Sequence, residues 1–439
     1  MKNIIKNYPL TISFILVLVI ISVFWHRDIY LLDAVSQKPE PNFRVSIPIV
    51  RIIFEPFLGS LLFYSRSHLV LVEHGVLLVW ILVGYILWMV GGYFKRRRIP
   101  RKGLKTLRSA LGFFLRRLAV LPLIVQCFLA IMMVESFVPL PVHRVVSQNP
   151  DVILLDCHCH TYYSHDGMKT QQGQIDWHHK NGFQAAFFTD HNHVDPTVKF
   201  IIEREKSGLA DDALVLLPGE EFSGSSHLLL LGIEQTFSPD KYSDQEVIEE
   251  VHRLGGVVIV AHWWSLHKHS IEQFIQWGVD GFELVKQDEQ MDYDPQVFQQ
   301  ILWACQTNGL IMLSDSDYHG YGSICNAFTA LTIPAWQQMT YWERKEALWE
   351  ALRNRKASRF QVLVYDDRGK LRRSTLCLSP LLMFVSYFRT LNGFQTLSWM
   401  VWIVLVSILS HHLFSKKWLS MSRKGKLQLV GAVGLLVSL

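Results

Sequence analysis

Val152-Ile153-Leu154-Leu155-Asp156-Cys157-His158-Cys159-His160 is the stretch that decides how this chain folds and what it can hold. An apolar run leads straight into D-x-H-x-H. Side chains alternate along a strand with period two, so His158 and His160 project from one side, with Asp156 behind them. Two imidazoles placed this way can grip one metal ion, and a nearby carboxylate can orient them. Taken alone, H-x-H is equally consistent with two histidines on a solvated edge. The rest of the chain separates these readings, because at least five later segments also end an apolar run in His, Asp or Glu.

From about His143 to Thr375 the composition is that of a globular domain, large enough for a real core. Short β-rich runs alternate with helical ones. Val152–Leu155 precedes a helical stretch around Gln174–Lys180, and Gln184–Thr189 precedes Pro196–Lys206. Leu214–Leu217 is followed closely by His227–Leu231. Asp244–Leu254 is amphipathic and leads to Val257–Val260, Ile271–Trp277 to Gly281–Val285, and Gln296–Thr307 to Leu310–Leu313. Asn326–Ile333, Tyr341–Arg355 and Phe360–Tyr365 complete the series. Such alternation implies an α/β domain with a parallel sheet, and this many units favours a barrel, whose chemistry gathers at the carboxyl ends of the strands.

The unusual residues fall at those ends. His158 and His160 follow the first strand, then Ser164-His165-Asp166-Gly167. Thr189-Asp190-His191-Asn192-His193 follows the second, and Pro218-Gly219-Glu220-Glu221 the third. His227 opens the fourth, Ala261-His262 ends the fifth, Glu283 lies in the sixth, and Ser314-Asp315-Ser316-Asp317-Tyr318-His319 ends the seventh. A solvated loop would favour Lys, Ser and Asn as readily. The pattern points to a multinuclear metal site with mixed imidazole and carboxylate ligands.

In order, D-x-H-x-H-T, T-D-H, P-G-x-E, a His before an apolar strand, A-H and S-D-x-H resemble the PHP (polymerase and histidinol phosphatase) superfamily over roughly Asp151 to Ile333. The resemblance implies a distorted seven-stranded barrel of (β/α) type. It implies two or three divalent metal ions (Mn, Fe or Zn) and phosphoester hydrolysis by a metal-activated water. By motif, His158, His160, Glu221 and Asp317 would hold one ion. Glu221 would bridge to a second ion held with His227 and His262. His191, His319 and a residue of the Ser164–Gly167 turn would hold a third. That turn carries one residue more than the family's S-D-G; Asp166 is favoured, with His165 the alternative. Trp263 replaces the proline of the usual A-H-P, and the G-x-E spacing selects Glu221 over Glu220. His158, His160, Glu221 and His262 are the residues on which catalysis should depend. Asp190 and Glu283 are expected to orient ligands or substrate, and His193, Lys286 and His267 or His269 are candidates to contact it.

Half of the 439 residues are hydrophobic and 18% are charged, too apolar a balance for an ordinary soluble enzyme. Tyr8–Trp25, Gly75–Phe94, Leu118–Val134 and Leu391–Ser410 carry no charge, and each is near the about 20 residues that cross a bilayer. Leu427–Leu439 is shorter, and whether it spans is open, while Val45–Tyr64 and Leu376–Phe388 read as interfacial or packed against the spans. The expected organisation is a membrane region over 1–142 with about three spans, a metallohydrolase domain over 143–375, and a membrane region over 376–439 with one or two spans. Basic residues from Lys95 to Arg117 place that loop inside, so the domain is expected outside the cytoplasm, on a multi-pass protein of the plasma (inner) membrane. Between two spans this loop fits anionic lipid better than a stable nucleic-acid complex. The six cysteines include no C-x-x-C, which argues against a thiolate zinc site.

The leading expectation is a membrane-anchored phosphoesterase acting on a phosphorylated small molecule, a nucleotide or a lipid. An amidohydrolase-type barrel cleaving C–N bonds also uses H-x-H on its first strand, but the T-D-H and S-D-x-H pairs argue against it. A non-catalytic sensor should have lost ligands, and none of the expected positions is missing.

Overall fold

Five helices of the domain begin where side chains close them. Ser243, Ser270 and Thr340 each accept from the backbone three residues on, and Glu246, Gln273 and Glu343 return the bond, so helices Asp244–Arg253, Ile271–Trp277 and Tyr341–Arg353 all start in capping boxes. Thr170 caps Gln171–Asn181 and Asp294 caps Pro295–Asn308. The computed structural model describes residues 9–65, 70–97, 112, 114–115, 117–209, 214–266, 268–286, 294–366 and 373–417. Its strands are β1 (Tyr30–Asp33), β2 (Lys38–Pro39), β3 (Phe43–Ser46), β4 (Arg144–Ser147), β5 (Val152–Asp156), β6 (Ala185–His191), β7 (Val215–Ser223), β8 (His227–Leu231), β9 (Val257–Val260), β10 (Gly281–Lys286), β11 (Ile311–Asp315), β12 (Ala327–Thr332) and β13 (Phe360–Asp366).

Eleven of these strands form one sheet in the order β11-β10-β9-β8-β7-β6-β5-β12-β13-β1-β2, and β3 pairs with β4 separately. β5, β6 and β7 run parallel, as do β9, β10 and β11. β7, β8 and β9 are antiparallel, because the turn from Ser223 to His227 is too short for a crossover. The sheet is therefore mixed rather than wholly parallel. The seven-stranded barrel implied by the resemblance is not closed by ladders among the described residues. β12 occupies the free edge of β5, so β11 meets β5 only beyond both strands, at a single bridge between Cys159 and Tyr318.

The sheet nevertheless curls. Ile153 and Leu155 of β5, Phe187 of β6, Leu217 of β7, Leu229 of β8, Ile259 of β9 and Ile311 and Leu313 of β11 share one buried cluster. The opposite faces pack on the helices. Phe222, Leu228, Leu230, Val258, Val260 and Phe282 lie in a cluster with Val247, Phe274 and Ile301. Leu154, Ala186, Phe188 and Leu216 lie with Ile175 and Trp177. Cys157 and Ala261 top the inner column, and the polar residues begin immediately beyond them.

Of the four uncharged runs, two give helices long and apolar enough to cross a membrane, at Val72–Gly92 and Gly393–Ser410. The other two form helices Pro9–Phe24 and Leu121–Phe137, of 16 and 17 residues, or about 25 Å against a hydrocarbon core of about 30 Å. Among the described residues, two helices of spanning length thus answer the four-span expectation. Val45–Tyr64, expected to be interfacial or packed against the spans, folds into the end of β3 and helices Ile49–Ile53 and Glu55–Tyr64, and the Ile53 carbonyl accepts from Trp402 of the spanning-length helix at 2.8 Å. Residues 30–46, within the expected membrane region over 1–142, carry strands that pair with the domain: β1 pairs with β13, and β3 with β4. Most of the basic loop after Lys95, and Leu427–Leu439, lie outside the described residues.

Candidate metal centre

Register brings the expected ligands together. His191 at the end of β6 stands directly opposite Glu221 of β7, and Ser223 opposite His227 across the hairpin. The Ala261 amide donates to the His227 carbonyl at 3.0 Å, which sets His262 beside His227. Past β5 and β11 the chains are laced: the Asp317 amide donates to the His158 carbonyl at 2.7 Å and the His160 amide to the Tyr318 carbonyl at 3.0 Å. Asp317 and His262 both have positive φ, 46° and 25°, a strained backbone of the kind that collects at functional sites.

His158, His160, Glu221 and Asp317, all buried, converge on one point. His158 Nε2 lies 3.1 Å from Glu221 Oε2 and 3.2 Å from Asp317 Oδ1. His160 Nε2 lies 3.2 Å and 3.1 Å from the same two oxygens. His158 Nε2 and Glu221 Oε2 make no hydrogen bond despite this approach. They aim at a shared position, which suits a divalent cation with nitrogen and oxygen donors. The other oxygen of Glu221 turns away, to His227 Nδ1 at 2.6 Å and His262 Nε2 at 3.2 Å, the disposition of a bridging carboxylate.

A third group opens toward solvent. Asp166 reaches His191 Nε2 at 3.7 Å and His319 Nε2 at 3.3 Å. The rings of His191 and His319 stack on that of His160 with centroids 4.5 and 4.1 Å away. His191 faces both ways, since its Nδ1 lies 3.0 Å from Glu221 Oε2. His165, the alternative to Asp166, is exposed; it lies 3.7 Å from Asp166, its ring is 5.0 Å from that of His191, and these three residues form another candidate group.

Behind the donors lies a layer that fixes them. Glu283 takes His158 Nδ1 at 2.7 Å and accepts from the His262 amide at 2.6 Å. Asp190 accepts from the Thr161 amide, the Thr161 hydroxyl and the Ser164 hydroxyl, while Ser164 Oγ also meets His160 Nδ1 at 3.0 Å. Asp156 serves His178 at 2.9 Å and the amide and hydroxyl of Ser316. Asp190 and Glu283 were expected from the sequence in this part. Ser164, His178 and Ser223, whose hydroxyl lies 2.8 Å from His191 Nδ1, were not. Polar residues near any loop look alike in sequence, so no signal marked them. Of the expected substrate contacts, His193 is exposed and His269 instead meets Ser225 and Asp244. His267 and the Lys286 side chain lie outside the described residues.

The charge balance calls for cations. Burial disfavours a charge on His158, yet Asp317, Glu221 and Glu283 outweigh it and push its pKa well above the usual histidine value. His319 is raised against burial in the same way, by Asp317 and Asp166. Burial would raise Glu221, but His158 and its neighbours hold it well below the usual carboxylate range. Uncompensated buried carboxylates cost several kcal/mol each, and divalent ions would offset this where protons otherwise must. All six cysteines are free. Burial pushes the Cys157 and Cys159 thiols up, away from thiolate ligation.

The PHP domain family matches residues 156–376 of the chain. No curated protein matches it. Among solved structures, one similar chain is a two-domain protein from Bacteroides vulgatus containing a predicted PHP-like metal-dependent phosphoesterase, at 17% identity and a TM-score of 0.36, covering 48% of this chain. This chain spans 64% of that protein's length. PsfC from Pseudomonas syringae is 14% identical with a TM-score of 0.34, over 54% of this chain and 98% of its own. An amidohydrolase from Chromobacterium violaceum with bound sulfate and no metal is 15% identical with a TM-score of 0.31, over 42% of this chain and 95% of its own. The family match takes in half of the sequence, from the first aspartate of D-x-H-x-H onward, and this chain belongs to the PHP domain family.

Proposed function

We propose that this protein is a membrane-anchored, metal-dependent phosphoesterase that hydrolyses a phosphate mono- or diester. The observation that carries the reading is the division of Glu221, with Oε2 turned to His158 and His160 and Oε1 to His227 and His262. His158, His160, Glu221 and Asp317 would hold one ion, Glu221, His227 and His262 a second, and Asp166, His191 and His319 a third. Divalent cations bound there, manganese, iron or zinc, would polarise phosphoryl oxygens and lower the pKa of a water. The chain's own part is to hold this arrangement. Glu283 fixes the ring of His158, Ser164 that of His160, and the Asp317 carbonyl takes His319 Nδ1 at 2.8 Å. Asp166, the most exposed of these donors, stands where a phosphorylated small molecule, nucleotide or lipid would enter.

Anchoring is supported by helices at Val72–Gly92 and Gly393–Ser410, of which only 6% and 11% is buried in the protein. The basic residues from Lys95 to Arg117 favour an extracytoplasmic domain where helix Leu121–Phe137 crosses as well; with the two longer helices alone they would put it in the cytoplasm. A reporter inserted near Gly208 that is active only in the cytoplasm would overturn that orientation if it gave signal. For the chemistry, the full chain loaded with each metal should hydrolyse p-nitrophenyl phosphate or its bis-ester. His158→Ala should lower the rate at least about 100-fold. Bound metal with no turnover across a broad panel of phosphoesters would contradict the assignment.

A further inference from the structure

Helix Gln171–Asn181 turns Gly173, Asp176, Trp177 and Lys180 toward the segment that leaves helix Leu121–Phe137. Between them lies a cavity of about 140 Å³, outside the metal centre: none of the candidate ligands lines it. Its wall is apolar, with Phe137 and Val138 about half exposed. This wall continues the exposed apolar surface of Leu129, Met133 and Val134 on the same helix. Its floor is Tyr318, stacked on Trp177 with centroids 3.9 Å apart.

Two half-buried cations face this space, Lys169 and Lys180. Lys169 donates one N–H to the Ser136 carbonyl and lies 5.3 Å over the Phe137 ring, which leaves further donors on its ammonium. Burial pushes both ammonium groups down, and the charge of Lys180 adds to this at Lys169. The charge of Asp176 supports both ammonium groups, but neither nearby carboxylate forms an ion pair with them among the described residues. Glu135 is turned to His74 at 3.1 Å, and Asp176 is exposed and accepts from Gln172. A cavity with paired cations on one side and an open apolar wall on the other matches an anionic head joined to a hydrocarbon tail.

We propose that this cavity binds the phosphate headgroup of an anionic membrane lipid, with Lys169 and Lys180 as its counter-ions and Phe137 and Val138 along its chains. The site stands apart from the metal chemistry and holds whether or not the metal centre cleaves phosphoesters.

The test uses the full chain carrying His158→Ala and freed of divalent ions with a chelator, so that the metal centre cannot account for binding, purified in a neutral detergent. Calorimetric titration compares dihexanoyl phosphatidic acid, dihexanoyl phosphatidylcholine and inorganic phosphate. Phosphatidic acid should bind more tightly than either comparison ligand. Lys169→Gln and Lys180→Gln, each added singly, should weaken it about tenfold, the value of one charge-assisted contact. Lys180→Arg should retain binding. The fold of each variant is checked by its melting profile, and Lys180, at the cavity's solvent side, gives a readout should Lys169→Gln not fold. Equal binding of phosphatidylcholine would remove the role of charge. Equal binding of inorganic phosphate would make this a free-phosphate site, and indifference to both substitutions would place the lipid elsewhere; any of these overturns the proposal.

Discussion

At the scale of the residue, Glu221 is the pivot and Glu283 its most consequential support. Glu283 takes His158 Nδ1 and the His262 amide together, so it orients donors of both inner groups. Glu283→Gln should keep the fold and lower metal affinity about 10- to 100-fold, measured by competition with a chelating dye; unchanged affinity would remove Glu283 from the site. Glu220 behaves differently. Burial pushes its carboxyl up to about 8 from 4.5, even though the Phe237 amide donates to both its oxygens. A raised folded-state pKa means the native state keeps a proton that the unfolded chain has lost. Its stabilising contribution is therefore complete below pH 4.5 and is lost as pH rises to about 8. The stability of Glu220→Gln relative to the parent should rise across that window, with a slope of at most about 1.4 kcal/mol per pH unit. A flat difference in chemical denaturation would refute this. Several of the candidate donors could be picked out because they follow an apolar run at a strand end, as His158, His191, His262 and Asp317 do, whereas His227 opens its strand and Asp166 lies in a turn. The left-handed backbone of Asp317 and His262 was not, since it comes from how two chain segments meet.

At the scale of the element, the turn after His160 shows what spacing can and cannot tell. The extra residue in Ser164–Gly167 left Asp166 and His165 as alternatives, and the fold brings Asp166, not His165, to both His191 and His319. The turn is tight because a Cβ on Gly167 would overlap the Thr161 carbonyl. Gly167→Ala should therefore displace Asp166 and cost one bound ion while the inner group keeps its metal, as read by elemental analysis of the purified protein. Loss of every ion, or of none, would contradict the three-group division. Three helices carry a local start signal, since Ser243, Ser270 and Thr340 cap them within their own sequence. The antiparallel course of β8 was less so: His227–Leu231 is as apolar as its parallel neighbours, and only the short turn before it betrays direction.

At the scale of the whole molecule, the N-terminal segment is the largest element the sequence concealed. β1 lies between apolar helices, yet pairs with β13 from Tyr30 opposite Asp366 to Asp33 opposite Leu363. Four residues are too few to show a pattern, and a partner more than 300 positions away leaves no trace in local composition. Leu31 is fully buried among Leu363, Tyr365 and Phe43. Leu31→Ala should thus destabilise the metal-binding domain by about 2–5 kcal/mol, seen as a lower unfolding midpoint; no change would mean that β1 merely rests on the sheet.

Under the proposed reading, Glu221 would serve two metal sites, its Oε2 facing His158 and His160 and its Oε1 facing His227 and His262. Metal equivalents per chain, measured on the parent and on Glu221→Gln after equilibration with excess manganese and removal of free ion, test it most directly. The account predicts two or three equivalents in the parent and loss of at least two in the variant. A parent that holds a single ion, or a variant that holds as many as the parent, would contradict it.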